Sequence, residues 1–464
     1  MKVRAHILNP FVVRGITAVC AAVLVTSAAS TALAAGVVGT GTTASCTDAA
    51  LDAALVGGGL VTFNCGGPAL IDISTGTGTK TIGADTTVDG GGLITISGGD
   101  SVRVFSVPVG VQFTVHNLRI AAGHSDNGGG IANTGRGSLT VINSTFIGNS
   151  ADGSPGTGGI GGGILNSGGG SVTVTNSTFI SNSAGGDPGT TGIGGGIFTN
   201  GGGSLTVTNS TFASNSAGAG GAILGLRGSV TVTNSTFTDN GADTGGGIVS
   251  GTLTVTNSTF TGNSNGGVDS GASGTVAVRN TILANSPSGG NCTGSIADGG
   301  HNLDDGTRCG FSTANGSLSG TNPQLDPVGP QNNGGPTQTV ALCTGAGMPA
   351  GCTAASPAID AGDQAVCAAA PVNDLDQRGF VRPGTGHTQC SIGAYEADAT
   401  APEACTGDCD GSGSVTVDDL LTLVNIALGN AQPSACQHGI SSGAEVDVAL
   451  ILQAVNNVLR GCDG

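Results

Sequence analysis

Leu205-Thr206-Val207-Thr208-Asn209-Ser210-Thr211-Phe212 joins two signals in one run. A two-residue alternation puts Leu205 and Val207 on one face and the threonines on the other, and the tetrapeptide Asn-Ser-Thr-Phe follows at once. That tetrapeptide recurs at Asn143, Asn176, Asn209, Asn234 and Asn257, at spacings of 33, 33, 25 and 23 residues. Asn280-Thr281-Ile282 extends the series by 23 residues and Asn117-Leu118-Arg119-Ile120 precedes it by 26, which makes seven units. Glycine clusters ending in an aliphatic residue recur before the strands, at Ile131, Ile164, Ile197, Ile223 and Ile248. Such clusters suit tight corners.

A unit of this length with short strands and glycine corners cannot bury its own apolar face, so it must stack on copies of itself. The reading is an all-β chain whose residues 86–290 form a parallel β-helix. Equivalent residues then lie about 4.8 Å apart along the axis. Asn143, Asn176, Asn209, Asn234, Asn257 and Asn280 are expected to form one amide ladder, and Phe146, Phe179, Phe212, Phe237 and Phe260 an internal stack. The second asparagine set, Asn149, Asn182, Asn215, Asn240, Asn263 and Asn285, is expected to close a turn. The two long periods carry extra segments, residues 151–160 and 184–193, expected to bulge out on one side as loops and to be the first place to look for a binding face. Asn-Ser-Thr also fits a glycosylation acceptor, but its phase with the strands favours the repeat.

Composition agrees with a packed, glycine-rich repeat. Of 464 residues 88 are Gly, 9% are charged and none is Trp, without the Gly-X-Y period of collagen and with too much apolar content for a disordered chain. A net charge of −17 argues against a nucleic-acid partner. Residues 1–34 read as a signal peptide: a basic start, an apolar run from Gly15 through Val25, and small residues ending Ala32-Leu33-Ala34. Export is therefore expected, to the medium or to a bacterial cell surface, with no membrane-spanning segment in the mature chain. Setting Cys20 aside leaves 12 cysteines, an even number that suits disulfides. Cys46 with Cys65 and Cys292 with Cys309 are neighbours. Cys343, Cys352, Cys367 and Cys390 form a third group and Cys405, Cys409, Cys436 and Cys462 a fourth, each open to three connectivities.

Gly220-Gly221-Ala222-Ile223 paired with Phe237-Thr238-Asp239-Asn240 resembles the repeat of chlamydial polymorphic outer membrane proteins. The resemblance implies a surface-exposed, adhesin-like shaft built as a right-handed parallel β-helix, the pectin-lyase-like solenoid. Between 322 and 396 the text changes to Asn333-Gly334-Gly335-Pro336-Thr337, Ser356-Pro357-Ala358-Ile359-Asp360, Asp376-Gln377-Arg378-Gly379 and Ile392-Gly393-Ala394-Tyr395-Glu396. These phrases resemble the terminal region of bacterial choice-of-anchor surface proteins, which implies a position before an anchoring module. Physically, residues 291–396 are expected to be a disulfide-pinned cap over the last rung, with residues 35–85 capping the other end.

After a linker at 397–404, the stretch from Asp408 to Asp419 places Asp408, Asp410, Ser412, Thr416 and Asp419 at loop positions 1, 3, 5, 9 and 12, with Gly413 at position 6. Those are the positions at which a calcium loop supplies oxygen, and Ser414 would add its backbone carbonyl. Leu420 through Leu428 can form a helix ended by Gly429, and a second copy follows 31 residues later with Gly439, Ser441 and Leu450 in place of acids. Two loop-helix units over residues 405–464 resemble a type I dockerin. That resemblance implies a small α-helical module, a bound Ca²⁺ and docking to a cohesin-like or envelope protein.

The favoured function is thus a non-catalytic, adhesin-like or scaffolding protein whose shaft meets a glycan or other cell-surface ligand. The alternative is a polysaccharide lyase or glycoside hydrolase docked by its tail. Against it, the strand positions are Thr, Val, Asn and Ser, the acids occur singly in loops, and the only Tyr is Tyr395. The best catalytic cluster that can be assembled is His124, Asp126, Arg119 and Arg136.

Overall fold

Each Asn-Ser-Thr-Phe is a corner. In the computed structural model, which describes residues 36–186, 190–271, 274–401, 405–409, 415–429, 431–436, 438–440 and 446–460, the repeated asparagine takes left-handed backbone angles, with φ of 48° at Asn143, 50° at Asn176 and Asn209, and 47° at Asn257. Asparagine enters that region more readily than most residues. The next residue satisfies the bend: the Ser144 N–H donates to Ser177 Oγ at 3.1 Å, and Ser177 Oγ–H donates to its own chain at Thr175 O, 2.7 Å. The relay passes rung by rung through Ser210, Ser235 and Ser258 to Thr281 and Asn302. Backbone groups that a bend removes from the sheet are paired in this way.

Three faces result. The first is built from Ser138–Ile142, Ser171–Thr175, Ser204–Thr208, Ser229–Thr233, Thr252–Thr256 and Thr275–Arg279, paired parallel and in register. The second, just past the corner, runs from Thr145–Ile147 and Thr178–Ile180 through Thr211–Ala213, Thr236–Thr238 and Thr259–Thr261 to Ile282–Ala284. The third holds Ile131–Asn133, Ile164–Asn166, Ile197–Thr199, Ile223–Gly225, Ile248–Ser250 and Val268–Asp269. The glycine before most third-face strands is required by close approach, while Ala222 holds that place before Ile223. A Cβ on Gly163 would lie 2.5 Å from Gly196 O and 3.2 Å from the Phe179 ring.

Inside, Phe146, Phe179, Phe212, Phe237 and Phe260 stack as expected, with centroids 4.6 to 4.9 Å apart and planes within 7°. The asparagine roles are the reverse of the sequence reading. The amide ladder belongs to the second set: Asn149 Nδ2 donates to Asn182 Oδ1 at 2.8 Å, and the chain of bonds continues through Asn215 and Asn240 to Asn263. Each Oδ1 also accepts the backbone N–H of the preceding ladder asparagine, and each Nδ2 also reaches a carbonyl, so buried amides such as Asn182 and Asn215 are fully paired. The corner asparagines cannot do this, because the left-handed bend turns them toward the surface. Asn285 departs from the ladder and bonds Asp305 and Thr261 instead.

The parallel pairing reaches beyond residues 86–290, from Gly36–Val38 on Gly59–Phe63 to Leu303–Asp304 on Leu318–Ser319. At the first end the helix Asp48–Leu55 lies so close on the opening strand that a Cβ on Gly36 would fall 2.4 Å from Ala54 O. Lys80, buried, ties this helix down through ion pairs with Asp48 and with Asp52, the latter at 2.8 Å. Residues 322–396 do not simply cap the last rung, although Leu325, Leu342, Ala358 and Ile392 pack with Leu303 and Leu318 there. They run along the second face, with Thr211 Oγ1 donating to Gln338 O, Thr236 Oγ1 to Gln377 Oε1 and Asn280 Nδ2 to Asp363 O. The last rung closes itself, through Leu318–Ser319 and the Cys292–Cys309 disulfide beside Phe311. The third cysteine group pairs as Cys343–Cys352 and Cys367–Cys390, and Cys46–Cys65 forms as its spacing suggests.

The phrases Asp376-Gln377-Arg378-Gly379 and Ile392-Gly393-Ala394-Tyr395-Glu396 lie largely in the interior of this segment. Arg382 meets Glu396 at 3.0 Å with both side chains fully buried, and Arg378 pairs with Asp376 at 2.7 Å while stacking on Phe380 and Tyr395. Glu396 also accepts from Ser391 N, Ser391 Oγ and Gly384 N, so the buried charge is compensated.

Two outcomes test this packing. Asn215→Ala strips acceptors from the Asn182 amide and backbone N–H, which should cost about 3 kcal/mol, whereas Thr206→Ala on the open surface should stay within about 0.5 kcal/mol; urea unfolding followed by circular dichroism reads both. Burial by itself would raise the Asp48 pKa, but Lys80 and the Thr77 donors hold it below the usual carboxylate value. A depressed folded pKa gives stability that is present above the unfolded value and lost as pH falls through the folded one. Thermal stability of the wild type should therefore fall on acidification below the usual value of 3.8, and Asp48→Asn should start lower and lose that part of the pH dependence.

Candidate binding face

The three faces of the shaft differ in what covers them. On the third, the outward positions are apolar, Ala132, Leu165, Phe198, Leu224 and Val249, and Ile160 and Ile193 pack over them. The segments expected to bulge as loops therefore split in two. Their ends return as a parallel column, Asn127 to Ile160 to Ile193 to Ala219 to Thr244, while residues 154–157 project, exposed. Residues 187–189 of the second segment lie outside the described residues. On the second face, the outward threonines from Thr211 onward are buried under the 322–396 segment.

The first face is open along its central column, although Thr233 and Thr256 at its corner edge are buried. Its central column is Thr140, Thr173, Thr206, Thr231 and Thr254, flanked by exposed Ser171, Ser204, Ser229 and Thr252. Outward positions from Ser138 to Thr256 carry no charge. Charge appears at the ends, where His116 Nδ1 meets Asp89 Oδ2 at 3.4 Å upstream and Arg279 follows downstream. Burial would raise the Asp89 carboxyl, but the His116 and Gly91 hydrogen bonds bring it below its ordinary value. A flat array of hydroxyls and methyls can bind by hydrogen bonding and contact. It contains no nucleophile-base pair and no facing carboxylates.

The assembled catalytic cluster comes apart. Arg119 stands exposed on the second face beside Thr145, and Arg136 is exposed in the turn before Ser138. Asp126 accepts from Ser154 Oγ at 2.6 Å. His124 Nδ1 lies 2.9 Å from Ser150 Oγ and 3.6 Å from Asp152 Oδ2. Both contacts use the same ring nitrogen, so the imidazole is not set between a nucleophile and an orienting acid. The cation near Asp126 is Arg103, missed in the sequence, which fastens Ser125, Asn127 and Gly128 and whose pKa burial lowers while Asp126 opposes.

In the carboxy-terminal module the helices Val417–Ala427 and Val448–Arg460 share an apolar core around Leu423, Ile426 and Ala454. Of the predicted calcium ligands, Asp410, Ser412 and Ser414 lie outside the described residues. Asp408 and Asp419 are 4% and 3% exposed. Thr416 caps the first helix, and Asp419 reaches back to Thr416 N at 2.7 Å and to Cys409 N at 2.9 Å. Two buried carboxylates, one at each end of the loop, are hard oxygen donors of the type Ca²⁺ takes. Cys409 pairs with Cys436, and Cys405 is also disulfide-bonded. Gly439, which stands where an aspartate would complete a second loop, has a packing reason: its Cβ would lie 2.4 Å from Asp408 N.

Residues 71–303 match the family model described as "Right handed beta helix region". The chain belongs to the right-handed β-helix family. Among solved structures this β-helix protein is similar to a crystal structure of pectate lyase Pel9A, at 15% identity and a TM-score of 0.43, over 73% of this chain and 87% of that one. No curated protein matches its sequence. Among the described residues no helix is long and apolar enough to cross a membrane.

Gly439→Ala should displace the Asp408 backbone and lower the melting temperature of the carboxy-terminal module in the full chain, with little change in the shaft transition; differential scanning calorimetry separates the two.

Proposed function

We propose that this β-helix protein is an exported, non-catalytic, adhesin-like or scaffolding protein whose shaft offers a binding surface and whose tail docks it to another protein. The observation that carries this reading is the open first face, a hydroxyl array free of ionisable side chains from Ser138 to Thr256. The dispersal of His124, Asp126, Arg119 and Arg136 supports it further. Disulfides at both ends of the shaft suit an extracellular or cell-surface location. The partners proposed are a glycan or other surface ligand for the shaft and a cohesin-like or envelope protein for the tail.

For the tail we propose one Ca²⁺, held by Asp408, Asp410, Ser412, the Ser414 carbonyl, Thr416 and Asp419. Bound there, the ion would supply charge that lets two buried acids share one loop. Asp419 ties Cys409 to the cap of the first helix, which places its carboxylate at the closing position.

The full chain, incubated with calcium and a panel of plant, algal and bacterial polysaccharides, should release no shortened or unsaturated sugars. Release that disappears in His124→Ala would replace this reading with an enzyme. Titration calorimetry on the same protein should show calcium uptake that the Asp408→Ala and Asp419→Ala variants lose.

A further inference from the structure

The second face is a docking row that the chain itself fills along only part of its length. Under the 322–396 segment the corner asparagines and face threonines of the shaft exchange hydrogen bonds with an irregular strand in both directions: Asp363 N donates to Asn280 Oδ1 at 2.9 Å and Ala394 N to Thr259 Oγ1 at 3.0 Å, while other shaft side chains donate to the segment's carbonyls. Asn234 Nδ2 donates to Leu375 O at 2.9 Å, Asn280 Nδ2 to Asp363 O at 3.1 Å, and Thr211 Oγ1 to Gln338 O at 2.6 Å. Gln377 adds a bond back, from Nε2 to Thr211 Oγ1 at 2.8 Å. The corner asparagines follow this coverage, from half-buried at Asn143 and Asn176 to buried at Asn234, Asn257 and Asn280.

Upstream the same columns continue uncovered. Thr145 and Thr178 stand in register with Thr211, and Asn143 and Asn176 with Asn209 at the corner. A third column changes in character. Outward, half-buried Ile147 and Ile180 occupy the positions that read Ala213, Thr238 and Thr261 downstream. Beside Thr145, at the upstream end, stands exposed Arg119. The open rungs thus repeat the hydrogen-bonding groups of the filled ones and add two aliphatic contacts and a cation.

We propose that residues 143–180 of the second face form a docking strip for an extended, irregular polypeptide segment of a partner protein. The partner would present backbone carbonyls to Asn143, Asn176, Thr145 and Thr178, an aliphatic side chain to Ile147 and Ile180, and a carboxylate to Arg119. The argument is continuity with an interface already made: one row of Asn and Thr groups that pairs with an irregular strand downstream, and upstream rungs of the row that no segment fills. The paired isoleucines suit an aliphatic peptide side chain better than a hydroxyl-rich glycan, and the chain's own segment is already seated downstream. This inference stands apart from the tail and from the first face, and would survive the failure of either.

The probe is a synthetic peptide matching residues 371–379, Pro-Val-Asn-Asp-Leu-Asp-Gln-Arg-Gly, the part of the chain that supplies Leu375 and Gln377, carrying a photo-crosslinker at one end. Mixed with the full chain, it should label residues 143–180 saturably at or below about 1 mM. Labelling should drop about ten-fold in Ile147→Lys/Ile180→Lys and stay unchanged in Val56→Lys, an exposed position after the first helix. Thr178→Lys gives a second variant should the double substitution not fold. Absence of saturable labelling, labelling confined to residues 209–284 where the peptide merely displaces the chain's own segment, or labelling indifferent to both second-face variants would overturn the proposal.

Discussion

Consecutive rungs of the shaft sit at the one spacing a parallel backbone ladder allows, about 4.8 Å, and every side chain inside must be able to meet its own copy at that distance. Phenyl rings can, face over face. So can carboxamides, each offering an acceptor on one side and a donor on the other. Large aliphatic residues alternate with them along the strands, and charged side chains, which would repel their own copies, are absent from the inward strand positions of the middle rungs. The composition follows from this single constraint, since glycine is needed wherever one rung's backbone presses on the next.

The strands, the phenylalanine stack and the existence of the coil were legible because they depend on periods that the text displays directly. The assignment of the two asparagines was not, because alternation says which residues point inward on a strand but not what happens at a bend. A left-handed corner takes the first asparagine out of the interior, and its serine neighbour, passed over as part of a tetrapeptide, turned out to carry the corner's hydrogen bonds. The return of Ile160 and Ile193 over the third face was signalled too, by outward aliphatic residues such as Leu165 and Phe198 that nothing in their own strand could cover.

Residues 322–396 were the hardest to place, for a physical reason. They contain few periodic elements, so pattern reading has nothing to count, and their position depends on contacts more than a hundred residues away, such as Gln377 with Thr236. The phrases noticed in the sequence were informative in another sense. The buried charges of Asp376 and Glu396 are compensated by Arg378 and Arg382, so these residues mark an interior rather than a reactive surface. The candidate site shows the same asymmetry. Chemically conspicuous residues, His124 and the arginines, proved scattered, while the open face consists of threonines and serines that no motif search would select.

The lateral course of the 322–396 segment also decides how the shaft would bear a pull. A chain that left from the last rung would hand any tension to that rung, and the ladder would peel open one strand at a time. Here tension applied beyond residue 397 first meets Glu396, locked to Arg382, and then the pins at Gln377, Asp363 and Thr337, which grip rungs from Asn209 to Asn280 at once. Load is shared across several turns of the coil in shear, so the segment acts as a strain-relief collar between shaft and tail.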